Sequence, residues 1–176
     1  QVLPRITSDT KFCAVIGNPV GHSLSPLIHN AAFEAAGLNY IYGAFRVENV
    51  GDCLRGMRAM EGFRGLSVTI PHKVEAMAHM DALSPMAEQV GGINTVTNED
   101  GRLLGSVTDG TGTLRAFKAA GVNLKDKKVV FIGAGGAVRA VAFAVAAEAG
   151  CGGVTILARD PKKAAALVAD VSPHAT

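Results

Sequence analysis

The chain has 176 residues, 48% hydrophobic and 18% charged, with 21 glycines and a formal net charge of +2. That balance excludes a disordered or fibrous chain and belongs to a globular α/β protein. The charge is too small and too scattered for a nucleic-acid binder, since no Lys/Arg run exceeds the pairs at 127–128 and 162–163. The longest apolar run in helical register, AVAFAVAAEAG (140–150), is too short to span a bilayer. Arg5 and Asp9 interrupt the N-terminal stretch, which argues against a signal peptide. Cys13, Cys53 and Cys151 are odd in number and lack C-x-x-C spacing, so they read as buried free thiols of a reducing cytoplasm.

The first ten residues (1–10) have no periodicity and read as a lead-in or linker. KFCAVIG (11–17) reads as a strand closed by glycine. Ser25 and Pro26 then supply an N-cap and a first helical residue, and Gly37 supplies the stop. NYIYGAFRV (39–47) predicts a second strand, Asn49 caps a helix through Met60, and GLSVTI (65–70) predicts a third strand whose exit Pro71 fixes. HKVEAMAHM (72–80) has helical composition, and Ser84-Pro85 opens another short helix. Asp100-Gly101, between INTVTN and RLLGSV, predicts a hairpin because that pair supplies the positive φ values of a tight turn. A helix runs from Asp109 to Gly121. Strands alternating with helices predict a three-layer, mostly parallel sheet over 11–121. The polar stretch 122–127 marks a boundary. Beyond it, 128–176 reads strand, glycine turn, helix, strand, helix, the first part of a Rossmann-like dinucleotide-binding domain (122–176).

GAGGA (133–137) stands where such a domain cradles a pyrophosphate: Gly133, Ala134, Gly135, Gly136 and Ala137 would let the backbone approach an anion at a helix N-terminus. The strict G-x-G-x-x-G pattern is not met, because Val138 occupies its third glycine position, and glycine turns also serve close packing. The next strand ends Arg159-Asp160, with Lys162 and Lys163 beyond. The cations suit a 2′-phosphate and hence NADP; Asp160 alone would suit the ribose hydroxyl of NAD, or would merely cap the following helix.

The remaining polar residues gather at strand ends of the first domain: Ser23, Ser25, Thr69, Lys73, Asn94, Thr95, Thr108 and Asp109. In a parallel sheet such ends converge on one crevice, where hydroxyls, an amide, an ammonium and a carboxylate would suit a small hydroxylated anion. Lys73 and Asp109 could move a proton to or from a hydroxyl being oxidised. The same residues also read as a surface ion pair and helix caps, with Ser25 and Asp109 as the caps.

Five blocks in order, GNPVGHSLSPLIHN, SVTIPHK, GGINTV, GSVTDGTG and GAGGAVRA, resemble the shikimate dehydrogenase family, which reduces 3-dehydroshikimate to shikimate with NADPH. The resemblance implies that Ser23 and Ser25 bind the substrate carboxylate, that Lys73 and Asp109 are the catalytic pair, and that Thr69 and Asn94 line the pocket. It further implies that 133–137 holds the pyrophosphate and that Arg159 and Lys163 hold the 2′-phosphate. It assigns no catalytic role to His22 or His72. The enzyme would be cytoplasmic, monomeric or homodimeric, with a small-molecule substrate and no nucleic-acid or membrane partner.

The chain departs from the family at Ser67, where asparagine is usual, and at Val107, where the family carries N-T-D. Family members also run longer at the C-terminus, so the chain reads as truncated, with weak cofactor binding and slow turnover expected of it. The lead-in weakly resembles the junction of dehydratase–dehydrogenase fusions. A quinate/shikimate dehydrogenase using NAD(P) and a non-catalytic metabolite-binding relative stay open as alternatives.

Overall fold

A computed structural model describes residues 6–175. Of the lead-in expected over 1–10, residues 1–5 lie outside the described residues. Residues 6–10 form a turn in which the Thr7 N–H donates to Thr10 Oγ1 at 2.9 Å.

The chain divides into two compact units, one ending at Ser106 and the other starting at Val107. The first holds β1 (Lys11–Gly17), α1 (Ser25–Ala35), β2 (Tyr40–Arg46), α2 (Val50–Arg58) and β3 (Phe63–Val68). A 3-10 turn (Glu75–His79), β4 (Ala82–Leu83), α3 (Pro85–Val90), β5 (Thr95–Glu99) and β6 (Arg102–Ser106) complete it. Its six strands form one sheet in the order β2-β1-β3-β5-β6-β4. β1 is parallel to β2 and β3, while β5 runs antiparallel to both β3 and β6. Phe63, Ile16, Leu54, Ile93 and Leu103 are fully buried at its core.

Local chemistry sets most boundaries. Asn49 Oδ1 accepts from the Asp52 N–H at 2.8 Å, and Ser84 Oγ accepts from the Ala87 N–H at 3.2 Å, so α2 and α3 begin where their caps predict. Asp100 (φ 50) and Gly101 (φ 90) make the predicted hairpin turn. Two expectations change. α1 starts at Ser25 itself with Leu24 at the cap position, and it is Ser23 Oγ that accepts from the Ser25 N–H, at 3.2 Å. The helix read into 72–80 is only the 3-10 turn. Ala82 and Leu83 pair with Leu104 and Gly105 as a short strand, which forces the chain to extend straight after His79.

The second unit holds α4 (Asp109–Ala119), β7 (Lys128–Ile132), α5 (Gly136–Glu148), β8 (Gly153–Leu157), α6 (Pro161–Val171) and a 3-10 turn (Ser172–His174). β7 and β8 are parallel, giving the expected β-α-β unit. α4 packs with this unit rather than closing the first. A Cβ on Gly110 would lie 2.6 Å from Ala140 O and from Ala144 Cβ, so glycine on one helix meets small residues one turn apart on the other. Ala140, Ala142, Phe143, Ala144, Val145 and Ala146 bury α5. No helix among the described residues is long and apolar enough to cross a membrane.

Candidate functional site

The parallel pairing of β1 with β2 and β3 brings their carboxyl ends level, with Gly17 opposite Arg46 and Ile16 opposite Val68. The Thr69 N–H donates to Ile16 O at 2.9 Å, and the Asn18 N–H donates to Ile70 O at 2.9 Å. A side chain on Gly17 would run into Thr69 Cγ2 and stand 3.0 Å from Ile70 O. Glycine therefore ends β1 because the β3 exit must press against it.

Because β5 runs antiparallel to β3, it starts where β3 ends. The Val68 N–H donates to Asn94 O at 2.8 Å, the Asn94 N–H to Ser106 O at 3.0 Å, and the Ile93 N–H to Lys73 O at 2.9 Å. Lys73 and Asn94 are thus pinned by backbone on neighbouring segments. Asn94 Oδ1 also accepts from the Thr95 hydroxyl at 3.0 Å. Ser23 and Ser25 follow the end of β1, in a loop turned by the Ser23 N–H to Val20 O bond at 3.0 Å. Val20 packs with Val15 and Tyr42 beneath it. All five expected site residues of this unit, Ser23, Ser25, Thr69, Lys73 and Asn94, therefore lie at one end of the sheet.

Reading the chain did not find the support under that end. Tyr42 donates its hydroxyl to Ser67 Oγ at 2.6 Å, across β1, and burial pushes the Tyr42 phenol up from its ordinary value. The His29 ring stacks on Tyr42 at 4.2 Å. Asn30 accepts from the Tyr42 N–H and donates to Tyr42 O, both at 2.9 Å, tying α1 to β2. Half-burial likewise pushes the Cys13 and Cys53 thiols up, so neither is a ready thiolate.

Asp109, the sixth expected residue, is the first residue of α4 in the second unit, with Thr108 at the cap position. The reading of Asp109 as a helix cap is thereby corrected. Its backbone C=O accepts from Thr113 Oγ1 at 2.8 Å.

At the glycine turn, Gly133 has φ +117, a conformation that favours glycine, and its N–H donates to Leu157 O at 2.6 Å. Ala134 follows. Gly135 and Gly136 are a different case: their backbone suits any residue, and a Cβ on either would meet nothing within 4 Å. Neither packing nor conformation within the described residues calls for glycine there, whereas close approach of a ligand does. Among the described residues no side chain caps α5, so the amides of Gly136 and Ala137 stand at the positive end of the helix dipole.

Beyond β8, Asp160 Oδ1 accepts from the Lys162 and Lys163 N–H groups at 3.0 and 3.4 Å, capping α6. That cap uses one oxygen of the carboxylate that argued for a ribose hydroxyl. Arg159 and Lys163 are exposed. The cavities found in this unit, of about 470 and 140 Å³, flank Leu114 and Phe117 and flank Ile156 and Val168; neither includes an expected site residue.

Residues 15–96 match the shikimate dehydrogenase substrate binding domain, a stretch that contains Ser23, Ser25, Thr69, Lys73 and Asn94. The chain is 47% identical over 165 residues to a shikimate dehydrogenase (NADP(+)) of Moorella thermoacetica, covering 93% of itself and 55% of that relative. It superposes on shikimate 5-dehydrogenase of Thermus thermophilus in complex with NADP(H) and shikimate with a TM-score of 0.86. The identity is 43%, over 95% of this chain and 63% of that one. The enzyme of Listeria monocytogenes in complex with shikimate and NAD gives 0.90 at 41% identity, over 99% of this chain and 61% of that one. The chain thus spans little more than half the length of the curated relatives it matches. In ordered motifs, in fold and in sequence identity across both units, it is similar to shikimate dehydrogenases, and residues 15–96 carry the match to their substrate binding domain.

Proposed function

We propose that the protein reduces 3-dehydroshikimate to shikimate with NADPH, as a cytoplasmic monomer or homodimer acting on a small anionic substrate. The observation that carries the reading is the gathering of Ser23, Ser25, Thr69, Lys73 and Asn94 at one sheet end, with Lys73 pinned through its backbone to Ile93. NADPH, when bound, supplies the hydride to the substrate carbonyl carbon. Lys73 donates the proton that the carbonyl oxygen takes up, so carbonyl, hydride and proton become a secondary alcohol. Asp109 accepts a hydrogen bond from a neighbouring substrate hydroxyl. The Ser23 and Ser25 hydroxyls donate to the carboxylate, and Thr69 and Asn94 orient the ring.

For the cofactor, the amides of 133–137 hold the pyrophosphate, while Arg159 and Lys163 hold the 2′-phosphate. The exposed cations Arg159 and Lys163 at that strand end support NADP over NAD. Quinate, with one more hydroxyl, is the alternative substrate. It is left open by Val107, which stands where the family carries asparagine. A purely binding role is disfavoured because both Lys73 and Asp109 are present.

The test is the initial rate of NADP⁺ reduction with saturating shikimate, then quinate, by the full-length protein and its Lys73→Ala variant. The rate of the variant should fall by about 10²–10⁴-fold, the span of general acid–base contributions, with shikimate binding weakened only modestly. Undiminished turnover in Lys73→Ala would remove that residue from the mechanism.

A further inference from the structure

His72 is a buried side chain, 3% exposed, that the chemistry above leaves unused, and it immediately precedes Lys73. Its backbone N–H donates to Thr69 O at 3.0 Å, closing the turn through Pro71 by which β3 exits. Its C=O accepts from the Ala76 N–H at 2.9 Å. The ring Nε2 stands 2.8 Å from Val47 O, just past the end of β2. A carbonyl only accepts, so Nε2 is the donor of that bond. Nδ1 is buried and has no hydrogen-bond partner among the described residues.

Burying an imidazole with one nitrogen unsatisfied is unfavourable, and a methionine or phenylalanine would fill the space without that penalty. What histidine adds is the bond to Val47. The Val47 N–H donates in turn to Gly17 O at 3.1 Å, at the end of β1. The imidazole thereby ties the β3 exit to the β2 exit, which the Val47 backbone joins to β1.

Given the reading of Lys73 as proton donor, we propose that His72 is a positioning residue. It locks the β3 exit to the β2 exit, so that the backbone of residue 73 is held between its own turn and Ile93. The ammonium then starts from a fixed origin, and small displacements of such a group are costly to rate.

Two variants of similar length separate the hydrogen bond from mere bulk: His72→Met has no donor, and His72→Gln keeps an N–H. In the full-length protein, His72→Met should lower kcat for shikimate oxidation by about 10–100-fold with KM moved less than about threefold. The amides of Val47 and Ile93 should exchange faster with solvent in that variant. His72→Gln should recover most of kcat and of the amide protection.

Wild-type kcat in His72→Met, equal losses in both variants, or unchanged amide exchange would each overturn the proposal. If His72→Met does not fold, His72→Gln decides alone: kcat near wild type supports the bond, and a full loss refutes it. Absence of turnover in the wild-type protein would instead overturn the functional reading, and the exchange contrast would still decide whether His72 holds the turn.

Discussion

In the first unit β3 buries Phe63, Leu66 and Val68, and its sheet is wide enough to close over a core. In the second, β7 and β8 leave Val130 and Leu157 55% exposed and Ile132 88% exposed, and burial concentrates in α5. One unit is held by a sheet and the other by helices. α5 lies against α4 through Gly110 and against α6 through the Arg139–Asp170 pair at 2.6 Å. Two strands enclose little on their own, and within the described residues the burial of that unit lies in small-residue helix contacts. The difference also separates two ways of building a site. The first unit places side chains through strand register, while the second offers backbone amides at a helix start.

Three substitutions would break or sharpen this contrast. Phe63→Ala should cost about 3–5 kcal/mol in the unfolding of the first unit, read by denaturant titration, because it empties a fully buried ring site. Loss of the second unit in the same transition would show that the two unfold as one.

Asp81→Asn should cost less, and in a pH-dependent way. The Leu103 N–H at 2.6 Å and then the Arg58 guanidinium at 2.8 Å hold the Asp81 carboxyl below the usual carboxylate range. A depressed folded-state value means the stabilisation is present above the ordinary carboxylate range and is lost as pH falls through the folded value. The melting temperatures of the wild type and Asp81→Asn should therefore differ at neutral pH and converge in strong acid. A gap that stayed constant down to acid pH would rule out the charge as its source.

Ile132→Thr should change stability by no more than about 0.5 kcal/mol, because the side chain it shortens is already in solvent. A loss as large as that of Phe63→Ala would mean that this sheet face is covered in the protein as tested.

Most elements were legible because their signals are local. Asn49, Ser84 and Asp100-Gly101 each act within a few residues, and each marks the boundary it predicts. The glycine turn was legible for the same reason. Other features were not. Gly110 looks like any glycine near a helix start until Ala140 and Ala144 are brought against it. Asp160 was ambiguous between ligand and cap until its oxygen was seen to take two helix amides. His72, in a run of helical composition beside a lysine, carried no sign of burial or of a bond to Val47.

The sequence by itself determined most elements and their order, the caps at Asn49 and Ser84, the hairpin turn at Asp100-Gly101, the ordered motifs that make the chain resemble a family, and the residue types available for chemistry. Tertiary structure decided that β5 enters antiparallel beside β3, setting Asn94 next to the Lys73 segment, and that Gly17 yields to Thr69. It also decided that α4 belongs with α5. The reason is physical: caps and turns are satisfied within one turn of chain, whereas register and close helix contact are settled by which distant segments exclude water together.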